Sequence, residues 1–243
     1  MTRPVHLILG ANGGIGSALA RWLIGEATPV LAGRNAEALG SLAAELDAPS
    51  IVVDPCDVTS VAEGVKQVIA DHGRIDGIAN CVGSLLLKPA HLTKPEEFDD
   101  TLRTNLGSAF AVVRAAAPAM RKAGGSVVLF SSAAARLGLA NHEAIAAAKA
   151  GVTGLARSAA ATYASWNVRF NVIAPGLVRT PLADRITSNE AALKASTGMH
   201  ALGRIGEPEE IASLARWLLD PAQSWITGQE IGADGGLATL RSR

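Results

Sequence analysis

The sequence predicts a doubly wound α/β fold, in which helices cover both faces of a parallel sheet of about seven strands. Short apolar runs alternate along the chain with helical patterns of about 10 to 15 residues, which is typical of repeated βαβ units. A glycine-rich turn joins the first strand to the first helix. Hydrophobic residues make up 49% of the 243 residues and aromatic residues only 4%, so small aliphatic side chains can pack helices closely on a buried sheet.

Composition excludes several classes of function. The chain has 22 Lys and Arg and 22 Asp and Glu residues, so it has no basic field to attract nucleic acid or an anionic membrane. The apolar run before Gly10 has only five residues and is too short for a signal peptide or a membrane span. We therefore expect one cytoplasmic domain over residues 1–243. Cys56 and Cys81 are expected to be reduced, and no Cys and His spacing indicates a metal site.

The first strand, over residues 5–9, leads through a glycine turn into a helix. Gly10 permits the sharp turn, Gly14 lets a phosphate approach the backbone, and Gly16 lets the helix pack closely on the strand. Free N–H groups at the start of the helix face the anion. An ordinary glycine-rich loop is the alternative. The predicted dinucleotide-binding residues of this turn are Gly10, Asn12, Gly13, Gly14, Ile15 and Gly16.

The second strand is predicted over residues 29–34 and is followed by a helix over 35–46. A carboxylate at the end of this strand would accept a hydrogen bond from a ribose 2′-hydroxyl and repel a 2′-phosphate. Gly33 occupies that position here, and the cation Arg34 follows it. The pattern therefore favours NADP over NAD, with a solvated loop arginine as the alternative interpretation of Arg34.

The third and fourth strands are predicted over residues 51–54 and 75–79, with a helix over 61–72 between them. Ligands of doubly wound sheets bind at the carboxyl ends of the strands. The residues that follow these two strands should therefore join Arg34 and the glycine turn at one edge. They are Asp57 and Val58, where an adenine ring would lie, and then Asn80, Cys81, Val82 and Gly83.

These motifs resemble those of the classical short-chain dehydrogenase/reductase family, over essentially the whole chain. The Gly10-x-x-x-Gly14-Ile15-Gly16 run is similar to its cofactor loop, and residues 80–83 resemble its Asn-Asn-Ala-Gly motif. Residues 204–212, 226–229 and 234–236 also resemble family segments. The resemblance implies a Rossmann-like fold, a nicotinamide cofactor, which Arg34 favours to be NADP(H), and a small-molecule carbonyl or alcohol substrate. The matching nicotinamide-binding segment contains Pro175, Gly176, Val178 and Thr180.

In that family the chemistry comes from a Ser at the end of a strand, a Tyr on the next helix and a Lys four residues later. The Ser donates a hydrogen bond to the carbonyl, the Tyr supplies the proton, and the Lys assists the Tyr and holds the ribose. The matching Ser is Ser132, after a strand over 127–130, and the matching Lys is Lys149. Asn105 matches an Asn that binds a water, with a local backbone hydrogen bond or a bend as the alternative.

The tyrosine position departs from the pattern. Counting back four residues from Lys149 gives Ile145, which cannot donate a proton, and the one tyrosine, Tyr163, is predicted to be a packing residue. In one interpretation another group supplies the proton, with His142 as the first candidate and Glu143 as the second. In the other, the chain is a catalytically silent NADP-binding protein that acts through an oligomeric interface. A surface loop residue is the alternative interpretation of His142.

Four further expectations concern residues 93–231. Alanine-rich helices at 115–117 and 144–150 should be buried on both sides, which predicts a homodimer or homotetramer, unless alanine serves only helix propensity. A strand at 229–231 could pair between copies. Residues 93 and 96, Thr and Glu, predict a capping box. After a strand over 168–174, residues 181–202 predict a mobile lid over the substrate, or a plain pair of surface helices.

Overall fold

The sheet is described by a computed structural model that covers residues 3–241. Within those residues seven strands pair in parallel, in the order β3-β2-β1-β4-β5-β6-β7, which confirms the predicted fold class. The order reverses between β1 and β4, and this switch point is where doubly wound sheets bind ligands. The strands are β1 Val5–Leu9, β2 Thr28–Gly33, β3 Ser50–Val52, β4 Gly77–Asn80, β5 Gly125–Phe130, β6 Val168–Pro175 and β7 Glu230–Ala233.

Helices cover both faces of this sheet. A π-helical turn over Arg103–Gly107 joins the fourth helix to the fifth without a break. In the part of the chain that the structure describes, no helix is long and apolar enough to cross a membrane. The helices are α1 Gly14–Leu23, α2 Ala36–Leu46, α3 Val58–His72, α4 Pro95–Leu102, α5 Ser108–Met120, α6 Glu143–Tyr163, α7 Asp184–Thr187, α8 Glu190–Met199 and α9 Pro208–Leu219.

The core has two halves, one on each face of the sheet. Successive side chains of β1 point to opposite faces, so Leu7 and Leu9 enter one half while Ile8 enters the other. Helices α3, α5 and α6 cover the first half, and α1, α2 and α9 cover the second. Every residue of β1 is buried. This is why the strands appear in the sequence as continuous apolar runs rather than alternating ones.

Helix capping sets several boundaries. Helix α2 follows Asn35, whose Oδ1 accepts a hydrogen bond from the Ala38 amide (3.0 Å), as the predicted range requires. Helix α3 begins at Val58, one turn before the predicted residue 61, because Asp57 Oδ1 caps it through the Thr59 amide (2.8 Å).

The predicted capping box at residues 93 and 96 is wrong by one position. Lys94 is the N-cap of α4, and Glu97 Oε2 accepts a hydrogen bond from the Lys94 amide (2.8 Å). A residue that precedes proline is restricted to extended conformations, so Pro95 makes Lys94 the last residue before the helix. The Thr93 hydroxyl instead donates to the Pro89 carbonyl (3.0 Å).

Candidate active site

A cleft of about 520 Å³ opens at the carboxyl edge of the sheet. It lies at the switch point between β1 and β4, where the fold predicts a ligand. Ten of the predicted cofactor-binding residues line it: Gly10, Asn12, Gly13, Gly14, Ile15, Arg34, Cys81, Val82, Gly83 and Thr180. Five further lining residues were not predicted: Gly33, Asn35, Pro55, Pro181 and Leu182.

The glycine turn lines one end of this cleft, which we call the phosphate end because its backbone resembles an anion site. A side chain on Gly16 would collide with the Gly10 carbonyl oxygen, and a Cβ on Gly14 would lie 2.7 Å from Thr180 Cγ2. Helix α1 has no side-chain cap and no acidic residue in its first turn. The first N–H groups of α1 are therefore available to bind an anion. The residues present fit the diphosphate of a dinucleotide.

The other end of the cleft carries one cation. Arg34 follows β2 and is exposed, and among the residues described it takes part in no ion pair. A Cβ on Gly33 would lie 3.1 Å from Asn12 Oδ1, so a side chain at this position would crowd that oxygen. Asp57 and Val58 do not line the cleft, because Asp57 caps α3 and Val58 packs against the core.

Two polar side chains lie beside the loop that follows β4. Asn80 is buried and its Nδ2 donates to Ser108 Oγ (3.1 Å), while its Oδ1 is buried without a partner among residues 3–241. Burial raises the pKa of the Cys81 thiol to about 12, against the opposing field of the Lys149 ammonium. Both cysteines are free and half-buried, so Cys81 contributes a neutral thiol to the cleft.

Lys149 lies on α6, buried beneath the cleft. Its Nζ donates to the Phe130 carbonyl at the end of β5 (2.9 Å), and burial lowers the pKa of the ammonium to about 8. The Ser131 hydroxyl donates to the Lys149 carbonyl (3.0 Å), which ties the helix backbone to the sheet. One turn later the Thr153 hydroxyl donates to Glu230 Oε1 (2.9 Å) on β7. These hydrogen bonds fix the position of Lys149 relative to the carboxyl edge of the sheet.

Ser132 follows β5 and is half-buried. Its Oγ accepts a hydrogen bond from the Ala134 amide (3.2 Å), which orients the hydroxyl oxygen. Because that bond uses an oxygen lone pair, the hydroxyl hydrogen is available to donate to a ligand.

Asn105 occupies the π-helical turn and is buried. Its Nδ2 donates to the Thr101 carbonyl (2.9 Å) and to Ser84 Oγ (2.9 Å), and its Oδ1 accepts from the Ser84 amide (3.2 Å). The local backbone hydrogen bond and the distorted helix, both expected as alternatives, are therefore present. A Cβ on Gly83 would lie 3.2 Å from Asn105 Oδ1 and 3.5 Å from Lys149 Nζ, so both groups border the same small space.

Ile145 lies one turn before Lys149 on the same buried face of α6 and is 3% exposed. His142 immediately precedes this helix, and its Nδ1 lies 2.7 Å from the Ala140 carbonyl oxygen. Since a carbonyl only accepts, Nδ1 carries the proton and Nε2 is left for another partner. Glu143 is exposed. Tyr163 ends the helix and packs against Phe170, with ring centroids 5.8 Å apart, as a packing residue would.

The segment after β6 closes the cleft from the far side. Pro175 ends the strand, and the Gly176 amide donates to the Ala233 carbonyl (3.2 Å). Val178 is buried and forms a bridge with Gly206. Thr180 reaches the glycine turn through its contact with Gly14, so the segment spans from the sheet edge to the phosphate end.

A larger cavity, of about 740 Å³, lies at the opposite, amino edge of the sheet. Its buried cation, Arg169, donates to the carbonyls of Leu218 (3.0 Å) and Asp220 (3.2 Å), and Arg74 pairs with Asp76 (2.6 Å). These charges have partners within the protein, and the cavity lies away from the switch point. The carboxyl-edge cleft is therefore the candidate site.

Similarity to known proteins identifies the family of this chain. A family model described as enoyl-(acyl carrier protein) reductase matches residues 10–238. The chain belongs to the classical short-chain dehydrogenase/reductase family. A 3-oxoacyl-(acyl-carrier-protein) reductase of Thermotoga maritima is 36% identical over 242 residues, covering 96% of this chain and 97% of that protein. A D-threitol dehydrogenase of Mycolicibacterium smegmatis is 34% identical over 239 residues, covering 96% and 92%.

Solved short-chain dehydrogenase/reductase structures superpose closely on this chain. Levodione reductase gives a TM-score of 0.93 at 30% identity, covering 99% of this chain and 100% of that one. A variant of actinorhodin polyketide ketoreductase with NADPH gives a TM-score of 0.92 at 25% identity, with the same coverage. The chain is an oxidoreductase of the short-chain dehydrogenase/reductase type.

Two further residues, which contact site residues without lining the cleft, were also not predicted. Ser84 completes the hydrogen bonds of Asn105. His200 accepts a hydrogen bond from the Leu177 amide (3.2 Å), which lies 23 residues earlier in the chain. The sequence offers one indication of His200, because it is a histidine among short polar residues. Its distance in the chain from its partner Leu177 follows no helical or strand periodicity.

Proposed function

We propose that this protein is an NADP(H)-dependent oxidoreductase that interconverts a small-molecule carbonyl and an alcohol. The observation that carries the proposal is the position of buried Lys149 beneath a glycine-lined cleft that has the exposed Arg34 at one end. In this proposal the dinucleotide occupies the cleft, and its reacting end lies beside Lys149. A bound nicotinamide would donate or accept the hydride in this reaction.

Arg34 selects the cofactor in this proposal. Its guanidinium is exposed at the cleft and has no carboxylate partner among the described residues, so it is available for a 2′-phosphate. Gly33 offers no carboxylate to a 2′-hydroxyl. Asp57 and Val58 do not line the cleft and make no contact with the cofactor in this proposal, whereas buried Asn80 would support the loop of residues 81–83 that lines it.

The segment that contains Pro175, Gly176, Val178 and Thr180 would hold the carboxamide of the nicotinamide. Its support is the hydrogen bond of Gly176 to β7 and the contact of Thr180 with the glycine turn, which together fix the segment across the cleft. Backbone groups held in this way can orient a flat amide without reorganising.

Ser132 and Lys149 orient the reacting groups. The Ser132 hydroxyl, held by the Ala134 amide, donates a hydrogen bond to the carbonyl oxygen of the substrate and stabilises negative charge as it develops there. The Lys149 ammonium holds the nicotinamide ribose and adds positive potential. Asn105 places a water in the space that it shares with Lys149 beside Gly83.

The proton would come from His142 in place of the missing tyrosine, with Glu143 as the second candidate. The supporting observation is that the His142 Nδ1 proton is engaged by Ala140 at the start of α6, one turn before Ile145. In carbonyl reduction the imidazolium donates from Nε2, and in alcohol oxidation the neutral ring accepts there.

Assembly into a homodimer or homotetramer is part of the proposal. Phe110 on α5 is 49% exposed, and Ala147, Ala150 and Gly154 form an exposed small-residue stripe on α6. An apolar helical face in water favours a partner surface. We expect light scattering to give the mass of two or four chains and Phe110→Glu to lower it, whereas a wild-type mass of one chain at all concentrations would contradict this assembly.

Two substitutions at position 145 test the reaction. Ile145→Tyr supplies a phenol one turn before Lys149 and should raise the kcat/KM of NADPH-dependent carbonyl reduction about tenfold, less than the full gain from a positioned general acid because His142 already donates a proton in this proposal. Ile145→Phe is the matched control, because it adds the same ring to a buried position without the hydroxyl, and should raise the rate less than about threefold.

The proposed reaction is contradicted if wild type and Ile145→Tyr both bind NADPH but neither reduces any carbonyl in a broad panel. Tight NADPH binding with that result favours the catalytically silent alternative.

His142→Ala tests the proton source. We expect kcat to fall about 100-fold while NADPH affinity changes less than about twofold, because the imidazole acts on the substrate rather than on the cofactor. Unchanged turnover would remove His142 from the mechanism, and Glu143→Gln would then test the second candidate.

A further inference from the structure

His200 joins three separate segments of the chain, beside the nicotinamide-binding segment that follows β6. It follows α8 and is 3% exposed. Its Nδ1 lies 2.7 Å from the Ser196 carbonyl oxygen of α8, and its Nε2 accepts a hydrogen bond from the Leu177 amide (3.2 Å). Its side chain also packs against Gly235, where a Cβ would lie 3.5 Å from the His200 Cβ.

The two hydrogen bonds fix the tautomer of this imidazole. The Leu177 amide can only donate, so Nε2 carries no proton, and the Ser196 carbonyl can only accept, so Nδ1 carries one. Both ring nitrogens are therefore committed to backbone groups in a buried place. A buried amide left without an acceptor costs free energy, so the Leu177 backbone depends on this ring.

The packing around Gly176 shows how closely the ring approaches the nicotinamide-binding segment. A Cβ on Gly176 would lie 2.6 Å from His200 Nε2 and 3.1 Å from His200 Cδ2. The imidazole therefore lies directly against the backbone between Pro175 and Leu177.

The same residue anchors the segment predicted as a lid. Helix α8 buries none of its own residues, so its side chains provide little attachment to the protein. His200 is the first buried residue after it, and the His200 carbonyl accepts from the Gly203 amide (2.9 Å) where the chain turns back. Leu202 continues this attachment through its amide, which donates to the Gly235 carbonyl (3.0 Å).

We propose that His200 is a positioning residue that fixes the Leu177 backbone, and with it the nicotinamide-binding segment, to the carboxyl end of α8. The position of the lid and the binding of the nicotinamide end are then coupled through one imidazole. This inference rests on the proposed function, because it needs a nicotinamide cofactor in the cleft.

Two substitutions separate the effects of the two hydrogen bonds of the imidazole. Glutamine can place an acceptor near the position of Nε2 and keep the bond to Leu177. Asparagine can place a donor near the position of Nδ1 and keep the bond to Ser196, but it is too short to reach the Leu177 amide. His200→Asn should therefore release the nicotinamide-binding segment, and His200→Gln should retain it.

The test compares NADPH with 2′,5′-ADP, which carries the 2′-phosphate but no nicotinamide. We expect His200→Asn to weaken NADPH binding about fivefold or more, the effect of one lost hydrogen bond, and to change 2′,5′-ADP binding less than about twofold. His200→Gln should bind both ligands within about twofold of wild type. A purely structural role would weaken both ligands together, in both variants.

Equal loss for the two ligands, no loss in His200→Asn, or no rescue by His200→Gln overturns the inference. Hydrogen exchange of the wild-type protein tests the inference without a substitution. NADPH, but not 2′,5′-ADP, should slow exchange of a peptide spanning residues 177–200. Equal protection of this peptide by the two ligands also overturns the inference. If wild-type protein binds 2′,5′-ADP and neither NADPH nor NADH, the proposed function fails instead.

Discussion

Replacing Arg34 with alanine should change the choice of cofactor rather than the fold. The guanidinium is exposed and has no ion pair among the described residues, so its removal breaks no contact within the protein. A charge-assisted hydrogen bond contributes about 1.5–3 kcal/mol, which exposure to solvent reduces to about 1–2 kcal/mol here. Arg34→Ala should therefore weaken NADPH binding about 5- to 30-fold and leave NADH binding within about twofold.

Fluorescence titration with each reduced cofactor measures both affinities. Lys122→Ala is the matched control, because Lys122 is an exposed cation at the amino edge of the sheet and its removal gives the same change in net charge. Salt should reduce the wild-type preference for NADPH, since an exposed charge pair is screened. Equal loss of NADPH and NADH in Arg34→Ala, or equal loss of NADPH in Lys122→Ala, would refute the assignment of Arg34 as the selector.

Three predictions concern stability. Gly16→Ala should lower the free energy of unfolding by about 1–3 kcal/mol and Tm by about 2–10 °C, because its Cβ would collide with the Gly10 carbonyl oxygen. Gly40→Ala in exposed α2 should instead raise Tm. A higher Tm for Gly16→Ala than for Gly40→Ala in thermal unfolding would contradict the packing. Thr153→Val should cost about 1–2 kcal/mol in urea unfolding by removing the hydroxyl that donates to Glu230, and Thr153→Ser should restore most of it. Burial lowers the pKa of His6 from 6.5 to about 4, so the unfolded chain binds its proton first as pH falls. Stability should be greatest above pH 6.5 and fall by about 3 kcal/mol towards pH 4, and His6→Leu should remove this part of the slope; an unchanged slope would contradict it.

Much of the fold could be predicted because the hydrophobic pattern of each segment is enough to locate its strand or helix. Strands buried on both faces appear as apolar runs, so β1, β5 and β6 were located to within about two residues at each end. The edge strand β3 ends at Val52 because its pairing with β2 ends there, although the apolar run continues to Val53. Where a strand stops thus depends on its neighbour, and the run alone does not show it.

Part of the candidate site could likewise be predicted from the sequence, and part could not. The glycine turn and Arg34 line the cleft because topology brings the carboxyl ends of parallel strands to one edge. Asp57 did not join them, because its carboxylate is used by its own helix. The role of His200 depends on a hydrogen bond to Leu177, and no periodicity in the sequence encodes a contact between a helix end and a loop 23 residues earlier.

In the proposed function, this chain transfers hydride between NADPH and a carbonyl without a tyrosine four residues before Lys149. The most direct measurement uses NADPH deuterated on each face of nicotinamide C4 in turn, incubated with wild-type protein and a panel of carbonyls, with mass spectrometry of the alcohols. The account predicts deuterium in an alcohol product from one labelled face, at a rate that rises in Ile145→Tyr but not in Ile145→Phe. Saturating NADPH binding with no deuterium in any alcohol, in wild type and Ile145→Tyr alike, would contradict it.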